Sequence, residues 1–346
     1  MLSKTIKTSI LSLLGILGIL SGCTAQTQNT SLTPDTSSQP VTDTTSGHYP
    51  ITVLSCEEPV TFESKPERAL SFDTNMTEIM LALGLEDQMV GYWVSGVPVS
   101  EEYQDQLSDV PLISEETWPP PGMEIILSHN PDFVFGAWEY NFSEESGVTP
   151  EKLAAAGVQS YTLSESCIAA GIRPSTTLEG TYQDILNIGL IFDVEDRANM
   201  IVDEMRNTIT DIQKSLGDTG TPLRGFYYGG GADAAFSCGK YGMASKMMAA
   251  VGAENIFGDV EDDWIPAAGW ETVIERDPEF IMIDDTPWES AENRIATLKS
   301  LPQLADVTAI REERFIVFPW TYILPGVDMD EGIEMLANVL YPENFR

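Results

Sequence analysis

The stretch RALSFDTNMTEIMLALGLEDQMVGYW, residues 68–93, determines the fold class. Its apolar run Ala69–Phe72 predicts one buried strand, and Met89–Trp93 predicts a second. Between them, residues 77–83 have the apolar spacing of a helix, and Gly84 stands where glycine commonly ends one. A strand, a helix and a strand in this order indicate a parallel sheet with a crossover helix.

The same alternation continues to the end of the chain and is interrupted once. Residues 193–217 begin with acidic residues, continue with apolar residues at helical spacing and end at Gly217, which predicts one helix. About 22 residues at 1.5 Å each would span roughly 33 Å. We therefore expect an α/β fold of two Rossmann-like lobes with parallel sheets, joined by this single bridging helix. Further strands are predicted at residues 133–136, 160–163, 225–228, 280–284 and 315–318.

The chain is predicted to begin with an export signal and a tether. Residues 1–22 combine two lysines with a short apolar core, which is typical of a signal peptide. The sequence LSGC that ends at Cys23 resembles the lipobox of bacterial lipoproteins, which implies cleavage before Cys23 and a diacylglycerol on its thiol. Residues 23–48 are rich in Ser and Thr and predict a flexible tether. The N-terminal lobe then occupies residues 49–192, and the C-terminal lobe residues 218–346.

Charge excludes several classes of function. The 346 residues contain 54 Asp and Glu against 18 Lys and Arg, a formal net charge of −36. Such a chain is not expected to bind nucleic acid or an anionic membrane surface, so the lipid is the only membrane contact predicted. The two histidines, His48 and His129, exclude a site of several imidazoles, and we predict neither a resident metal nor a cofactor.

Three cysteines remain after Cys23. An extracytoplasmic location permits a disulfide, and the odd number leaves one thiol over. We favour a Cys56–Cys167 pair, because both lie in polar loop sequences, and a free Cys238. Sequence alone does not fix this pairing.

Four stretches together resemble substrate-binding lipoproteins of iron-siderophore and cobalamin ABC importers. They are residues 68–93 and the segments that run from EIILSHNPDF to YTLSESC (124–167), from KYGMASKMM to FIMIDD (240–285) and from RFIVFPWTY to LANVL (314–340). The resemblance extends over residues 51–342. It implies a class III periplasmic-binding-protein fold with a ligand held between two lobes that close little, and a protein that binds rather than catalyses.

Ligands of open parallel sheets lie beyond the carboxyl ends of the strands. Aromatic residues are concentrated at those ends and in nearby loops, which suits a bulky, partly apolar ligand with polar groups. The stretches Asp73-Thr74-Asn75 and Trp138-Glu139-Tyr140 lie there as well. The predicted ligand-binding residues are Trp93, Trp138, Tyr140, Tyr228, Lys240, Tyr241, Trp264, Trp288, Trp320 and Tyr322.

The charges near this cleft restrict the ligand class. Only Lys240 and Arg173 are plausible cations there, whereas a triply anionic ferric catecholate needs several. A ferric hydroxamate is therefore favoured, closely followed by a corrinoid, with haem third. We expect His129 to be a surface or capping residue, which argues against a naked metal ion as ligand.

The resemblance also implies a membrane partner. Glu78 matches the glutamate that docks the first lobe of such proteins onto an arginine of the permease, although a solvated helix residue is an equal alternative. The corresponding position in the second lobe, near Ser245, has no acid, and Glu254 is a possible substitute. We expect an extracytoplasmic monomer, anchored to the outer face of the cell membrane by its lipid.

A lipid-anchored hydrolase or adhesin on the same scaffold is the alternative function. Asp284-Asp285 and Glu261-Asp262-Asp263 could be drawn as acid–base or calcium groups, but such clusters arise by chance among 54 acidic residues. No GxSxG or HExxH motif occurs, so the sequence predicts no enzyme.

Overall fold

The computed structural model describes residues 47–345, which belong to one structural unit. The predicted signal peptide, Cys23 and nearly all of the predicted tether lie outside the described residues. Among the described residues, no helix is both long and apolar enough to cross a membrane.

The first lobe is built on a four-stranded parallel sheet with the order β4 (Met89–Trp93), β3 (Ala69–Phe72), β5 (Phe133–Gly136) and β6 (Gln159–Thr162). Every residue of the two central strands, β3 and β5, is buried, because helices cover both faces of the sheet. An antiparallel hairpin, β1 and β2, precedes the sheet. The strands are β1 Ile51–Ser55, β2 Glu58–Phe62, β3 Ala69–Phe72, β4 Met89–Trp93, β5 Phe133–Gly136 and β6 Gln159–Thr162; the helices are α1 Thr74–Ala82, α2 Gln104–Leu107, α3 Met123–Ser128, α4 Trp138–Asn141, α5 Pro150–Ala155 and α6 Glu179–Ile191.

The second lobe repeats this plan with the parallel order β12-β11-β7-β9. An additional antiparallel pair, β8 and β10, lies beside it and was not predicted. The strands are β7 Arg224–Tyr228, β8 Ala235–Cys238, β9 Glu254–Asn255, β10 Trp264–Ala268, β11 Phe280–Asp285 and β12 Phe315–Pro319; the helices are α8 Met243–Ala250, α9 Trp270–Arg276, α10 Ala291–Ser300, α11 Thr308–Arg311 and α12 Met329–Leu340.

One helix, α7 (Glu195–Leu216), connects the lobes. Glu195 and Asp196 lie in its first turn and Lys214 in its last, where each charge complements the helix dipole. Its buried stripe packs against α6 of the first lobe and α12 of the second. The connection is therefore supported on both sides by helices rather than hinged on extended chain. The stripe consists of Ala198, Val202, Met205, Ile209, Ile212 and Leu216.

Buried polar contacts also join the lobes directly. The amide Nδ2 of Asn75 in α1 donates to the carbonyl oxygen of Pro325, 2.8 Å away. Glu165 of the first lobe and Lys246 of the second form an ion pair with 2.6 Å between Oε2 and Nζ, and their side chains are 1% and 3% exposed. Buried charges are tolerated only when paired, so this contact holds the lobes in one specific arrangement.

The cysteines occupy two different environments. Cys56, in the turn between β1 and β2, forms a disulfide with Cys167, in the 3-10 helix Ser164–Ala170. The bridge thereby fastens the hairpin to the segment after β6. Cys238 is a free thiol in β8, and burial raises its pKa to about 12. This thiol is consequently unreactive in the folded protein.

Candidate ligand-binding cleft

A cavity of about 650 Å³ lies between the lobes, at the carboxyl ends of their strands. The segment after β3 contributes Asp73, and the segments after β4 and β5 contribute Ser95 and Trp138. The second lobe contributes the residues before and in β10 and the 3-10 helix that begins at Trp320. This position is where open α/β sheets bind ligands, because the strand ends there leave a crevice.

Asp73 organises the first-lobe wall of the cleft. It precedes α1 with a backbone φ of 68°, a conformation that only a few non-glycine residues adopt. Its Oδ2 accepts hydrogen bonds from the Tyr140 hydroxyl at 2.7 Å and from the Asn141 amide at 3.0 Å. Its Oδ1 accepts from the backbone N–H of Ser95 at 3.2 Å. Burial raises the pKa of Asp73, and these three donors oppose the shift.

Two aromatic pairs form the apolar surfaces of the cleft. In the first lobe Trp138 and Tyr140 are nearly parallel, with 6.0 Å between ring centroids. In the second lobe Trp264 and Trp320 are also stacked, at 6.3 Å. The buried Nε1 of Trp138 has no hydrogen-bond partner within the described chain, so its N–H is available to an acceptor on a ligand.

The charged groups of the cleft are carboxylates: Asp73, Glu261, Asp262 and Asp263. None of the described residues that line it is a lysine, arginine or histidine. Burial raises the pKa of Asp263 to about 7, and the nearby charges of Glu165 and Asp262 add to the shift. Arg173 of the first lobe contacts Glu261 at 2.5 Å, so its charge is already paired.

Four predicted ligand residues, Trp138, Tyr140, Trp264 and Trp320, line the cavity. Trp288 is 55% exposed and packs edge-on against Trp320, which places it beside the cleft rather than in its lining.

Three predicted ligand residues do not line the cavity, because their side chains are buried in a lobe. Trp93 is fully buried in the core of the first lobe, and its Nε1 donates to the carbonyl oxygen of Glu116 at 2.8 Å. Tyr228 packs between Phe226 and Trp270 in the second lobe. Tyr241 is buried as well. Residues at a strand exit therefore divide between the core and the cleft.

Two further predicted residues do not line the cleft. Lys240 lines a different cavity of about 610 Å³ in the second lobe, which also contains Arg224 and Arg276. Its Nζ nevertheless lies 3.7 Å from Oε1 of Glu261, so its charge is paired at the edge of the cleft. Tyr322 does not line the cleft, and its hydroxyl donates to Glu331 at 2.5 Å.

Glu78, the predicted docking residue, is only 1% exposed, so the structure presents no carboxylate surface there for a permease. Its Oε1 accepts hydrogen bonds from the backbone N–H and the hydroxyl of Ser100, at 2.8 and 2.7 Å. Burial and then the charge of Asp328 raise the pKa of Glu78 to about 8. Glu78 therefore has a structural role beneath the surface. Glu254 is exposed at the edge strand β9.

The remaining polar candidates have identifiable structural surroundings. Asp284 is buried and forms an ion pair with Arg294, and its Oδ1 accepts from the Tyr227 hydroxyl at 2.9 Å. His129 follows the last residue of α3, where its Nδ1 lies 2.9 Å from the carbonyl oxygen of Ile125.

Two kinds of residue in the cleft lining, and one residue beside it, were not predicted from the sequence. Phe236 lines the cavity from β8, a strand that was not predicted. Asp262 and Asp263 were treated as chance acids, although they lie just before β10. Trp118, in the proline-rich stretch before α3, packs 5.8 Å from Tyr140 and follows no strand that could have drawn attention to it.

The sequence profile of the periplasmic binding protein family matches residues 71–321. The chain belongs to this family. Its members are substrate-binding proteins, and the two lobes of parallel sheet around a cleft are the class III form of their fold.

Individual relatives agree with this assignment. An uncharacterized ABC transporter substrate-binding lipoprotein of Bacillus subtilis is 23% identical over 302 residues, 86% of this chain and 88% of the relative. A vitamin B12-binding protein of Yersinia pestis is 23% identical over 72% of this chain and 80% of its own length. The crystal structure of a periplasmic binding protein from Veillonella parvula superposes with a TM-score of 0.73 and 28% identity, and the match covers 84% of this chain and 97% of that structure.

Proposed function

We propose that this periplasmic binding protein serves an ABC importer, captures a neutral or cationic ferric hydroxamate between its lobes and delivers it to a membrane permease. The choice of this ligand class rests on which residues line the cleft. Its lining combines two aromatic pairs with four carboxylates and, among the described residues, contains no cationic side chain. A corrinoid is the second candidate.

Electrostatics argues against an anionic ligand. A triply anionic catecholate complex would be surrounded by carboxylates, and like charges at short range repel strongly in a partly dehydrated site. A cationic or neutral chelate avoids this repulsion. An ammonium group on the ligand would in addition be attracted to the faces of Trp264 and Trp320.

Haem also fits these residues poorly. Its two propionates carry negative charge, and within the described part of the chain no lysine or arginine lines the cleft to pair with them. Tyr140 is the one tyrosine in the lining formed by residues 47–345, but its hydroxyl donates to Asp73. Burial and the Asp73 charge raise the pKa of Tyr140 well above its ordinary value, which disfavours the phenolate that would bind iron.

Size favours the hydroxamate, and one relative favours the corrinoid. A cavity of about 650 Å³ is in the ordinary range for small-molecule sites, and a ferric trihydroxamate is much smaller than a complete cobalamin. The flat aromatic pairs would also suit a corrin ring. The Yersinia relative, named as a vitamin B12-binding protein, supports the second candidate.

We include in the proposal a lipid on Cys23, an extracytoplasmic location and a monomeric state. The Bacillus relative is itself named as a substrate-binding lipoprotein, which supports the anchor. The proposed role involves no reaction and no cofactor, in keeping with a family of binding proteins. Expression of the full chain with Cys23→Ala should release the protein from the membrane fraction, and continued sedimentation with membranes would contradict the anchor.

The ligand assignment is tested by titrating residues 24–346 and following tryptophan fluorescence. The ligands are a cationic and a neutral ferric trihydroxamate, cobalamin, haemin and a ferric catecholate. We expect saturable quenching by a trihydroxamate, with affinity reduced at least tenfold in Trp138→Ala and Trp320→Ala. Tyr322→Phe, outside the cavity, is the control. Tightest binding of the catecholate or of haemin would refute the charge argument, and tightest binding of cobalamin would select the second candidate.

The charge of Asp263 supplies a pH test. Because its pKa is raised to about 7, Asp263 becomes ionised mainly between pH 6 and 8. Affinity for the cationic trihydroxamate should therefore rise over this interval, and Asp263→Asn should remove the rise. Asp203→Asn, which alters an exposed carboxylate on α7, is the matched control. A pH dependence that persists unchanged in Asp263→Asn would contradict this role.

A further inference from the structure

A group of three metal-ligating side chains lies where the predicted tether meets the folded lobes, away from the residues of the ligand cleft. The Nδ1 atom of His48 is 3.3 Å from Oδ1 of Asp193 and 3.3 Å from Oε1 of Glu195. All three ligand atoms lie within 4.8 Å of one another. Asp193 adopts a left-handed backbone conformation with φ 54°, two residues before the start of helix α7.

The hydrogen bond made by Nε2 of His48 determines whether the other ring nitrogen, Nδ1, can bind a metal ion. Nε2 lies 2.8 Å from the carbonyl oxygen of Leu190, which can only accept a hydrogen bond, so Nε2 carries a proton. In the neutral imidazole, Nδ1 then presents a lone pair to two carboxylate oxygens. Three acceptors that face one another offer a site for a cation, which is either a proton on Nδ1 or a metal ion. A backbone carbonyl bonded to the distal nitrogen is also the usual support of a metal-binding histidine.

The distances suit a tetrahedral ion. Zinc bonds to nitrogen and to carboxylate oxygen at about 2.0–2.2 Å, and the edge of such a tetrahedron is about 3.3–3.5 Å. Both distances from His48 fall at that edge length. An imidazole ligand favours zinc and similar transition metals, whereas Ca²⁺ and Mg²⁺ prefer sites made only of oxygen.

The surroundings leave the site accessible and anionic. His48 is partly buried, while both carboxylates are open to solvent, so water can complete the coordination shell. Within residues 47–345, no lysine or arginine forms an ion pair with Asp193 or Glu195. The nearby Arg197 is directed elsewhere, since its Nε donates to the carbonyl oxygen of Ala82.

We propose that His48, Asp193 and Glu195 bind one zinc-class divalent ion, which fastens the end of the tether to the start of the bridging helix. The neighbouring residue supports such a role, because the Tyr49 hydroxyl donates to the carbonyl oxygen of Ile191 at 2.6 Å. Both residues are thereby held against the last turn of α6. This proposal revises the prediction from sequence that the chain has no metal site.

The test uses residues 24–346, which contain the whole described unit, stripped of metal with a chelator and titrated with ZnCl₂. Calorimetry should show one zinc per chain, and zinc at 100 times its Kd should raise Tm by about 5 °C. His48→Ala and Glu195→Gln should lose both effects. The chain supplies a matched control in its only other histidine, and His129→Ala should bind zinc as the unaltered protein does.

Three results would overturn the proposed zinc site. Zinc binding of the same stoichiometry and affinity in His48→Ala would overturn the site and assign the signal to exposed acids. So would an equal rise in Tm when CaCl₂ replaces ZnCl₂. If the unaltered chain binds no stoichiometric zinc, the cation between the three groups is a proton on Nδ1 and the proposal fails. Glu195→Gln keeps the test valid should His48→Ala fold poorly, because Glu195 lies on an accessible helix turn.

Discussion

Replacing Lys246 with methionine should cost about 3–5 kcal/mol of unfolding free energy. Lys246 and Glu165 are almost fully buried, with 2.6 Å between their charged atoms. At an effective dielectric constant of about 20, the attraction over that distance is about 6 kcal/mol, and dehydration of both ions offsets much of it. The intact pair therefore contributes little net stability. Removing Lys246 alone leaves Glu165 buried without a countercharge, and that unpaired charge is the source of the loss.

The loss should fall on the contact between the lobes, because each lobe contributes one partner. Urea unfolding is followed by circular dichroism and tryptophan fluorescence, and the double variant Lys246→Met with Glu165→Met completes a mutant cycle. The double variant should be more stable than Lys246→Met, since it leaves no buried charge unpaired. Lys299→Met is the control, because the Lys299–Glu313 pair has a similar 2.7 Å separation but is exposed. It should cost less than about 1 kcal/mol.

Two results would refute this reasoning. A loss below about 1 kcal/mol in Lys246→Met would mean that water or local rearrangement solvates Glu165 in the folded protein. Strictly additive losses in the double variant would mean that the two side chains do not interact energetically.

Three further predictions concern stability. Glu78 has a folded pKa of about 8 against an ordinary 4.5, so the folded state holds a proton that the unfolded state releases. Stability should therefore fall as pH rises from 4.5 to 8, and Glu78→Gln should flatten the decline; a Tm that rises from pH 5 to 8 would contradict this. Replacing Cys56 and Cys167 with serine should cost about 2–5 kcal/mol in urea unfolding, because the bridge closes a loop with a sequence separation of 111; an unchanged midpoint would disprove it. Trp93→Ala should lose about 3–5 kcal/mol and Trp288→Ala less than about 1, so equal losses by urea unfolding would invalidate their assignment to core and surface.

Strands and the bridging helix were predictable because each has a strong local pattern. Strands β3, β4 and β5 have the predicted bounds, and α7 differs from residues 193–217 by only one or two residues at each end. Helix α6 was missed because it contains two glycines and is apolar on more than one side. Gly189 is required there, since a side chain at that position would collide with Ala198 of α7. That requirement is tertiary and leaves no local signal.

The cleft was predictable in position but not in detail. A strand exit tells which end of a sheet a residue occupies, and Trp138 and Trp320, chosen on this basis, both line the cavity. It does not tell whether the last residue of a strand points into the lobe or out of it, and Trp93 points into the core of the first lobe. The burial of Glu78 could not be predicted from the sequence either, because it depends on Ser100 and on Asp328 of the other lobe.

The acidic edge of the cleft also affects how fast a ligand arrives. Glu261 and Asp262 are exposed there, on a chain of net charge −36. Such a field draws a cationic chelate toward the cleft and raises its association rate at low ionic strength. In about 1 M salt the screening length falls to about 3 Å, and this long-range attraction disappears. The proposed contacts with Trp264 and Trp320 do not depend on long-range charge, so salt should slow capture far more than it shortens the lifetime of the bound complex.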